Sequence, residues 1–314
     1  PPPSFQAEDG IRDPPYSLVG SEMCIRDSLC TAGMAPAFEN IVEHGKYVFF
    51  AAGCISCHTA DEALAGGRPL ESPYGTFYPP NITPSREHGI GTWEYTDLER
   101  ALRQGINPRG EHYYPAFPYP SYTGMTREDV QALYAYLMNQ PASTRQNRPH
   151  ELYWPYSSRP LLSHWKQGGF TPGAFSPDPS RSAQWNRGAY LANALGHCSE
   201  CHTPRGFLSI PRADHYLAGT CSGPEGAPAP NITPEGETGI GNWTCDELVR
   251  FLESGRKPDG SFASGLMAEV LGTSCARLTG YDRESLAFYL KTVPPVHHNL
   301  NVLCRPYDDM TIYD

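Results

Sequence analysis

The sequence predicts a mainly α-helical fold built from two tandem units, and three observations carry that prediction. Two five-residue runs, Cys54-Ile55-Ser56-Cys57-His58 and Cys198-Ser199-Glu200-Cys201-His202, share the pattern C-x-x-C-H. Their surroundings repeat as well: Pro80-Asn81-Ile82-Thr83-Pro84 recurs as Pro230-Asn231-Ile232-Thr233-Pro234, and Gly89-Ile90-Gly91 with Trp93 recurs as Gly239-Ile240-Gly241 with Trp243, each 150 residues on. Between these landmarks apolar residues fall at helical spacing, and no alternating strand pattern of any length competes. The C-x-x-C-H runs are 144 residues apart, so the second unit gains six residues before its Pro-Asn-Ile-Thr-Pro.

The elements follow in order. Asn40 to Gly53 reads as a helix that runs into the first C-x-x-C-H, as Asn186 to Gly196 does into the second. Asp97 to Gln104 and Asp246 to Glu253 read as short helices, each followed by a glycine, Gly105 or Gly255, able to take the left-handed conformation of a C-cap. Arg127 to Met138 is a further helix stopped by Pro141, and Arg283 to Leu290 matches it late in the second unit. Gly110 and Gly260 keep the 150-residue offset. Residues 141–182 are rich in Pro, Ser and aromatics, including Trp154, Trp165 and Phe170, which predicts an ordered strap across both units in place of a flexible linker.

C-x-x-C-H is the attachment pattern of a c-type haem: two cysteine sulfurs bond the porphyrin vinyl groups, and the next residue supplies an axial imidazole. In a helical turn positions one and four share a face, so one segment fixes both porphyrin edge and ligand. Cys54, Cys57 and His58, and Cys198, Cys201 and His202, are therefore the candidate cofactor residues for two covalently bound haem c groups. A thiol redox pair or half of a zinc site are the plainer readings of C-x-x-C. Duplication within a longer repeat favours haem.

Function then turns on the residue opposite each histidine. A methionine thioether closes the coordination sphere of an electron carrier, whereas an open position admits small molecules to iron. Met267, in Gly265-Leu266-Met267-Ala268-Glu269, lies in a loop ahead of the last helix and is the candidate for the second iron. At the same offset the first unit has Phe117, within Tyr113-Tyr114-Pro115-Ala116-Phe117-Pro118-Tyr119, and phenylalanine cannot bind iron. Met125, which aligns with Leu278, ranks first for that iron, an open site second and His112 third.

Residues 1–28 resemble translated sequencing-adapter read-through and are left out of the fold reasoning. Residues 29–37 end in Ala35-Pro36-Ala37, the small-x-small pattern of a signal-peptide cleavage site, which predicts a mature chain from about Phe38. Nothing in the sequence approaches the roughly 18 apolar residues of a membrane span. Of ten cysteines, four belong to the haem motifs; Cys221, Cys245, Cys275 and Cys304 form an even set in the second half and predict one or two disulfides, with three complete pairings open. The formal charge is −10, which disfavours nucleic acid and anionic membrane surfaces and suits a basic patch on a redox partner.

On both haem motifs, the repeated Pro-Asn-Ile-Thr-Pro and Gly-Ile-Gly-x-Trp, and Trp185-Asn186-Arg187-Gly188-Ala189-Tyr190-Leu191, the chain resembles the multihaem cytochrome c subunits of periplasmic alcohol, gluconate and sorbitol dehydrogenases and some molybdenum hydroxylases. The resemblance covers about residues 40 to 295. It implies two class I cytochrome c-like domains, 38–140 and 183–295, joined by the strap at 141–182 and followed by a tail, 296–314. It implies a periplasmic location, peripheral to the inner membrane, and single-electron transfer from a dehydrogenase catalytic subunit to quinone, an oxidase or another cytochrome. The family's Pro-Ala-Met-Pro-Tyr ligand loop stands here as Pro-Ala-Phe-Pro-Tyr, and by analogy Trp93 and Trp243 contact haem propionates. The rival expectation is a dihaem enzyme, a peroxidase or thiosulfate-oxidising cytochrome, with the first iron open.

Overall fold

The computed structural model describes residues 36–206 and 209–304. The segment read as adapter sequence, most of the proposed leader, Cys24, Cys30 and the tail beyond residue 304 lie outside the described residues.

Helix α1, Ile41–Ala51, starts where Asn40 caps it: the Asn40 side chain accepts from the backbone N–H groups of Val42 and Glu43, both at 3.0 Å. Gly53 then turns left-handed, and α2, Cys54–His58, is the first C-x-x-C-H. Strands β1, Leu70–Ser72, and β2, Gly75–Phe77, form a hairpin, with Leu70 opposite Phe77 and Ser72 opposite Gly75. Helix α3, Tyr95–Gln104, opens with a Glu94/Asp97 capping box and closes at left-handed Gly105. A four-residue turn, α4, Tyr119–Tyr122, precedes α5, Arg127–Met138. Val130, Leu133 and Leu137 of α5 are buried at helical spacing.

Residues 141–182 carry β3, Glu151–Leu152, which adds antiparallel to β2, and α6, Arg159–Gly169. Phe170 packs edge-on against Tyr119 of the first half, and Phe175 lies tilted against Tyr190 of the second. The aromatics of this segment do not all pack: Trp154 is 85% exposed, with Tyr153 and Tyr156 beside it also exposed.

In the second half α7, Ala183–Tyr190, runs into a π-helical turn, Leu191–Leu195, before α8, Cys198–His202. The π turn has a visible cause. Tyr47 and Tyr190 are 143 residues apart but Cys54 and Cys198 are 144 apart, so one extra residue falls between helix and motif and widens a single turn. Helix α9, Cys245–Ser254, repeats the capping-box start and left-handed glycine end of α3, at Thr244/Glu247 and Gly255. Helices α10, Gly265–Thr273, α11, Gly280–Leu290, and α12, Leu300–Leu303, complete the described chain.

In each half the first long helix crosses the last. Gly45 of α1 sits so close to α5 that a Cβ would collide with the Ala132 carbonyl oxygen, and Gly188 of α7 repeats this against Ser285 of α11. One hydrophobic cluster runs through both halves, joining Val48, Phe49 and Leu133 to Leu191, Leu195, Leu271 and Leu290. No helix among the described residues is long and apolar enough to cross a membrane.

One expectation is corrected, the placement of Met267, and two are made specific. A small sheet does form, from strands of two or three residues that are too short to show a period. Met267 lies in the first turn of helix α10 and not in a loop, because Leu266 to Leu271 are good helix formers, whereas Pro115, Pro118 and Pro120 limit the corresponding part of the first half to one turn. Of the one or two disulfides expected, Cys221 is bonded to Cys304, with Cα atoms 5.2 Å apart, while Cys275 is a free thiol buried in the core, so none of the complete pairings of the four is made.

Candidate functional site

Each C-x-x-C-H segment is one helical turn entered from a left-handed residue, Gly53 (φ 65°) or His197 (φ 38°). All four thiols are free. Burial pushes Cys54 and Cys198 up to about 12, and Cys57 and Cys201 up to about 11, with the Arg68 and Arg205 guanidinium groups opposing the last two. Among the described residues no three His, Cys, Asp or Glu side chains converge as a metal site.

The histidines are oriented by the repeated loops. His58 Nδ1 lies 2.8 Å from the Pro80 carbonyl oxygen, and His202 Nδ1 lies 2.7 Å from that of Pro230. A carbonyl can only accept, so Nδ1 carries the hydrogen and Nε2 keeps its lone pair, the tautomer an axial ligand needs. Burial lowers both imidazoles below their ordinary range, which keeps them neutral. The prolines are in turn held by buried asparagines. Asn81 Oδ1 accepts from Thr83 while its Nδ2 donates to the Ser143 and Arg145 carbonyls; Asn231 Oδ1 accepts from Thr233 while its Nδ2 donates to Val296. Pro-Asn-Ile-Thr-Pro is thus the brace for the imidazole. The residues present fit haem c, with two free, partly buried thiols and one Nδ1-bonded histidine in each turn.

The candidates for the opposite position are spread more widely. Beyond each left-handed glycine the same turn recurs: Tyr113 N–H donates to Gly105 O and Ala263 N–H to Gly255 O, both at 2.9 Å. Phe117 and Met267 follow these turns. Met267 is partly buried against the core. Phe117 is ringed by Tyr113, Tyr119 and Tyr122, with centroids 5.4, 6.4 and 5.7 Å away. Tyr122 itself donates to Ala52 O at 2.6 Å and feels Cys54 and Cys57, so this aromatic cluster adjoins the first anchor. Met125 is fully buried just before Thr126, the N-cap of α5, as Leu278 is buried just before Thr279, the N-cap of α11. His112 Nδ1 faces Lys166 Nζ at 3.3 Å, and burial and that ammonium lower it. Trp93 and Trp243 are partly buried against the core, their carbonyls accepting from Tyr134 and Lys291.

The sequence reading missed how the two anchors meet. His197 Nε2 is 3.7 Å from where a Cβ on Gly53 would stand, and Tyr122 packs edge-on against the His197 ring. Ser56 Oγ is 3.0 Å from Thr273 Oγ1 of the second half, and Ser121 of the first half donates to Glu200 at 3.0 Å. Arg68 donates to Ser56 O at 2.6 Å and forks onto the Glu269 carboxylate; Arg205 pairs with Glu200. Ser56 and Glu200 fall between the cysteines of their motifs.

The family model for cytochrome c matches residues 42–141. A diheme c-type cytochrome of Cereibacter sphaeroides is 41% identical over 265 residues, 80% of this chain and 86% of that protein. The cytochrome subunit of fructose dehydrogenase from Gluconobacter japonicus is 40% identical over 265 residues, 83% of this chain and 54% of that one. One subunit of nicotinate dehydrogenase from Pseudomonas putida is 40% identical over 256 residues, 81% of this chain and 21% of that protein. The chain therefore spans most of the first relative, about half of the second and a fifth of the third.

Proposed function

The chain belongs to the cytochrome c family, and on that footing we propose that it is a periplasmic electron-transfer protein with two tandem class I cytochrome c-like domains and one haem c in each. The observation that carries this reading is the duplicated histidine geometry: two C-x-x-C-H turns, each with Nδ1 committed to a proline carbonyl and Nε2 left free. Haem c, when bound, supplies a one-electron iron couple. Cys54, Cys57, Cys198 and Cys201 would hold the porphyrins, and His58 and His202 would bind the irons. Met267 would be the further ligand at the later site and Met125 at the earlier one. The protein's part is to fix those ligands, exclude water from them and hold the two anchors against each other across Gly53 and His197.

The electron donor in this reading is the catalytic subunit of a dehydrogenase, which the names of the fructose and nicotinate dehydrogenase relatives support. The acceptor is quinone, an oxidase or another cytochrome. The Cys221–Cys304 bond and the Ala35-Pro36-Ala37 pattern support an oxidising compartment outside the cytoplasm.

Phe117 favours a second reading, a dihaem enzyme of the peroxidase or thiosulfate-oxidising kind with the first iron open. Pyridine haemochrome analysis tests the cofactor: two c-type haems per chain are expected, and none or one would overturn the proposal. Electron paramagnetic resonance of the oxidised protein separates the readings. Two low-spin irons mark the carrier, and a high-spin, cyanide-binding first iron marks the enzyme.

A further inference from the structure

We propose that Arg68 is a positioning residue for the second haem site: from the first half, it clamps the helix that presents Met267. The inference rests on the reading of Met267 as an iron ligand and adds what holds it there. Helix α10 carries Met267 in its first turn, and three contacts along it reach the other half. Glu269, two residues past Met267, accepts both Nη groups of Arg68, with the Nη2 to Oε2 distance 3.0 Å. Thr273, at the end of the helix, bonds Ser56 Oγ at 3.0 Å, and Ser274 Oγ donates to Ala51 O at 3.3 Å.

Ala51 closes α1, and Ser56 lies between Cys54 and Cys57, so all three contacts tie the Met267 helix to the first anchor. The arginine is fixed at both ends, because the same guanidinium donates to the Ser56 carbonyl at 2.6 Å and lies 3.5 Å from Glu225. The pair is only partly exposed, 23% for Arg68 and 33% for Glu269, and forked geometry restricts rotation as well as distance. Lysine could supply the charge but not the fork. An iron–thioether bond to Met is weak enough to depend on how its helix is held, so the clamp acts on ligation and potential at the second site through α10.

The test uses the haem-loaded full chain and reads the far-red sulfur-to-iron charge-transfer band of the oxidised protein, together with a spectroelectrochemical titration. Met267→Ala assigns the second site's share of that band. Arg68→Gln should lose much of the same share at neutral pH and lower the second potential; Arg68→Lys, which keeps the charge but not the fork, and Thr273→Val should move both the same way by less. If Arg68→Gln does not accumulate, Arg68→Lys and Thr273→Val read the same two quantities. Wild-type band and potential in Thr273→Val and in whichever arginine variants accumulate would overturn the clamp while leaving the ligand assignment intact. A band unchanged in Met267→Ala would remove Met267 as ligand, and the clamp with it.

Discussion

Tyr47 of the first half donates its hydroxyl hydrogen to the fully buried carboxylate of Asp282 in the second half at 2.5 Å. The relation is reciprocal, since Tyr190 of the second half donates to Asp129 of the first at 2.5 Å. Each hydroxyl also accepts from the N-cap region of the opposite helix, Tyr47 from Thr279 N–H and Tyr190 from Thr126 N–H. Tyr47 and Tyr190 are equivalent in the repeat, as are Asp129 and Asp282, so the halves exchange one bond each about an approximate two-fold relation. The symmetry breaks at the counter-charge: Asp282 takes both arms of Arg187, at 2.8 and 2.7 Å, whereas Asp129 takes His44 at 2.6 Å.

Tyr47→Phe should therefore destabilise the protein by about 1.5–3 kcal/mol, the scale of a hydrogen bond to a charged group, because Asp282 keeps Arg187 but loses one donor. Asp282→Ala should cost more, about 3–5 kcal/mol, since it strands the partly buried Arg187. Denaturant unfolding of the haem-loaded chain measures both. Equal and negligible effects would mean that the exchanged bonds do not hold the halves together.

Gly45→Ala and Gly188→Ala set two effects against each other. In a helix interior alanine is favoured over glycine by about 1 kcal/mol. Here the added methyl meets a backbone carbonyl, of Ala132 or Ser285, which cannot rotate aside, and overpacking of this kind costs about 1–3 kcal/mol. Net destabilisation is expected at both positions, seen as a lower thermal midpoint. A higher midpoint at either would show that the helix crossing is looser than described.

These two cases also show what was legible in the chain. The helix over Arg127–Met138 could be read to its ends, because Thr126 is a capping residue, the apolar period is clear and Pro141 stops it. The recurrence of Pro-Asn-Ile-Thr-Pro was equally visible, but its use was not: the group that orients His58 is the Pro80 carbonyl, and a backbone oxygen leaves no signature in residue identity. Tyr47 and Asp282 stand 235 residues apart and look like an ordinary helix tyrosine and an N-terminal aspartate until the halves are brought together. The π turn at Leu191–Leu195 could have been inferred from the change of offset between Tyr190 and Cys198. Helix α10 was hidden because its counterpart in the first half is broken by prolines, so the repeat argued for a loop.

Lys166 gives a prediction in pH. Its ammonium is buried between the strap helix α6 and the first half, donating to the Gln104 and Gly105 carbonyls and lying 4.6 Å from the centre of the Tyr119 ring; burial lowers it to about 8. Between about pH 8 and the ordinary lysine value near 10.4 the unfolded chain binds more protons than the folded one, so this group makes stability rise with pH there and adds no slope below pH 8. Tyrosines raised by burial, such as Tyr113, act in the opposite sense above about pH 10. The difference in unfolding free energy between wild type and Lys166→Met isolates the lysine. It should grow in favour of wild type from pH 8 to pH 10, and a flat difference would show that the ammonium is solvated in the folded state.

Met125→Leu separates packing from ligation at the first site. The second half already carries leucine at the corresponding position, Leu278, buried just before an N-cap threonine as Met125 is, so the local structure accepts that side chain. Methionine and leucine are close in volume, and the exchange should cost less than about 1.5 kcal/mol as packing alone. Leucine has no sulfur to offer iron. If Met125 is the ligand opposite His58, the variant keeps two haems per chain, loses one sulfur-to-iron band, converts the first iron to a high-spin or cyanide-binding form and lowers its potential. If the methionine serves only the core, spectrum and potential stay as in wild type. The first iron must then be satisfied from elsewhere or stand open beside the ring formed by Tyr113, Phe117 and Tyr122, and the enzyme reading gains ground. Loss of both haems would instead report a folding failure, which the small packing cost argues against, and Met125→Ile offers the same comparison with a different shape.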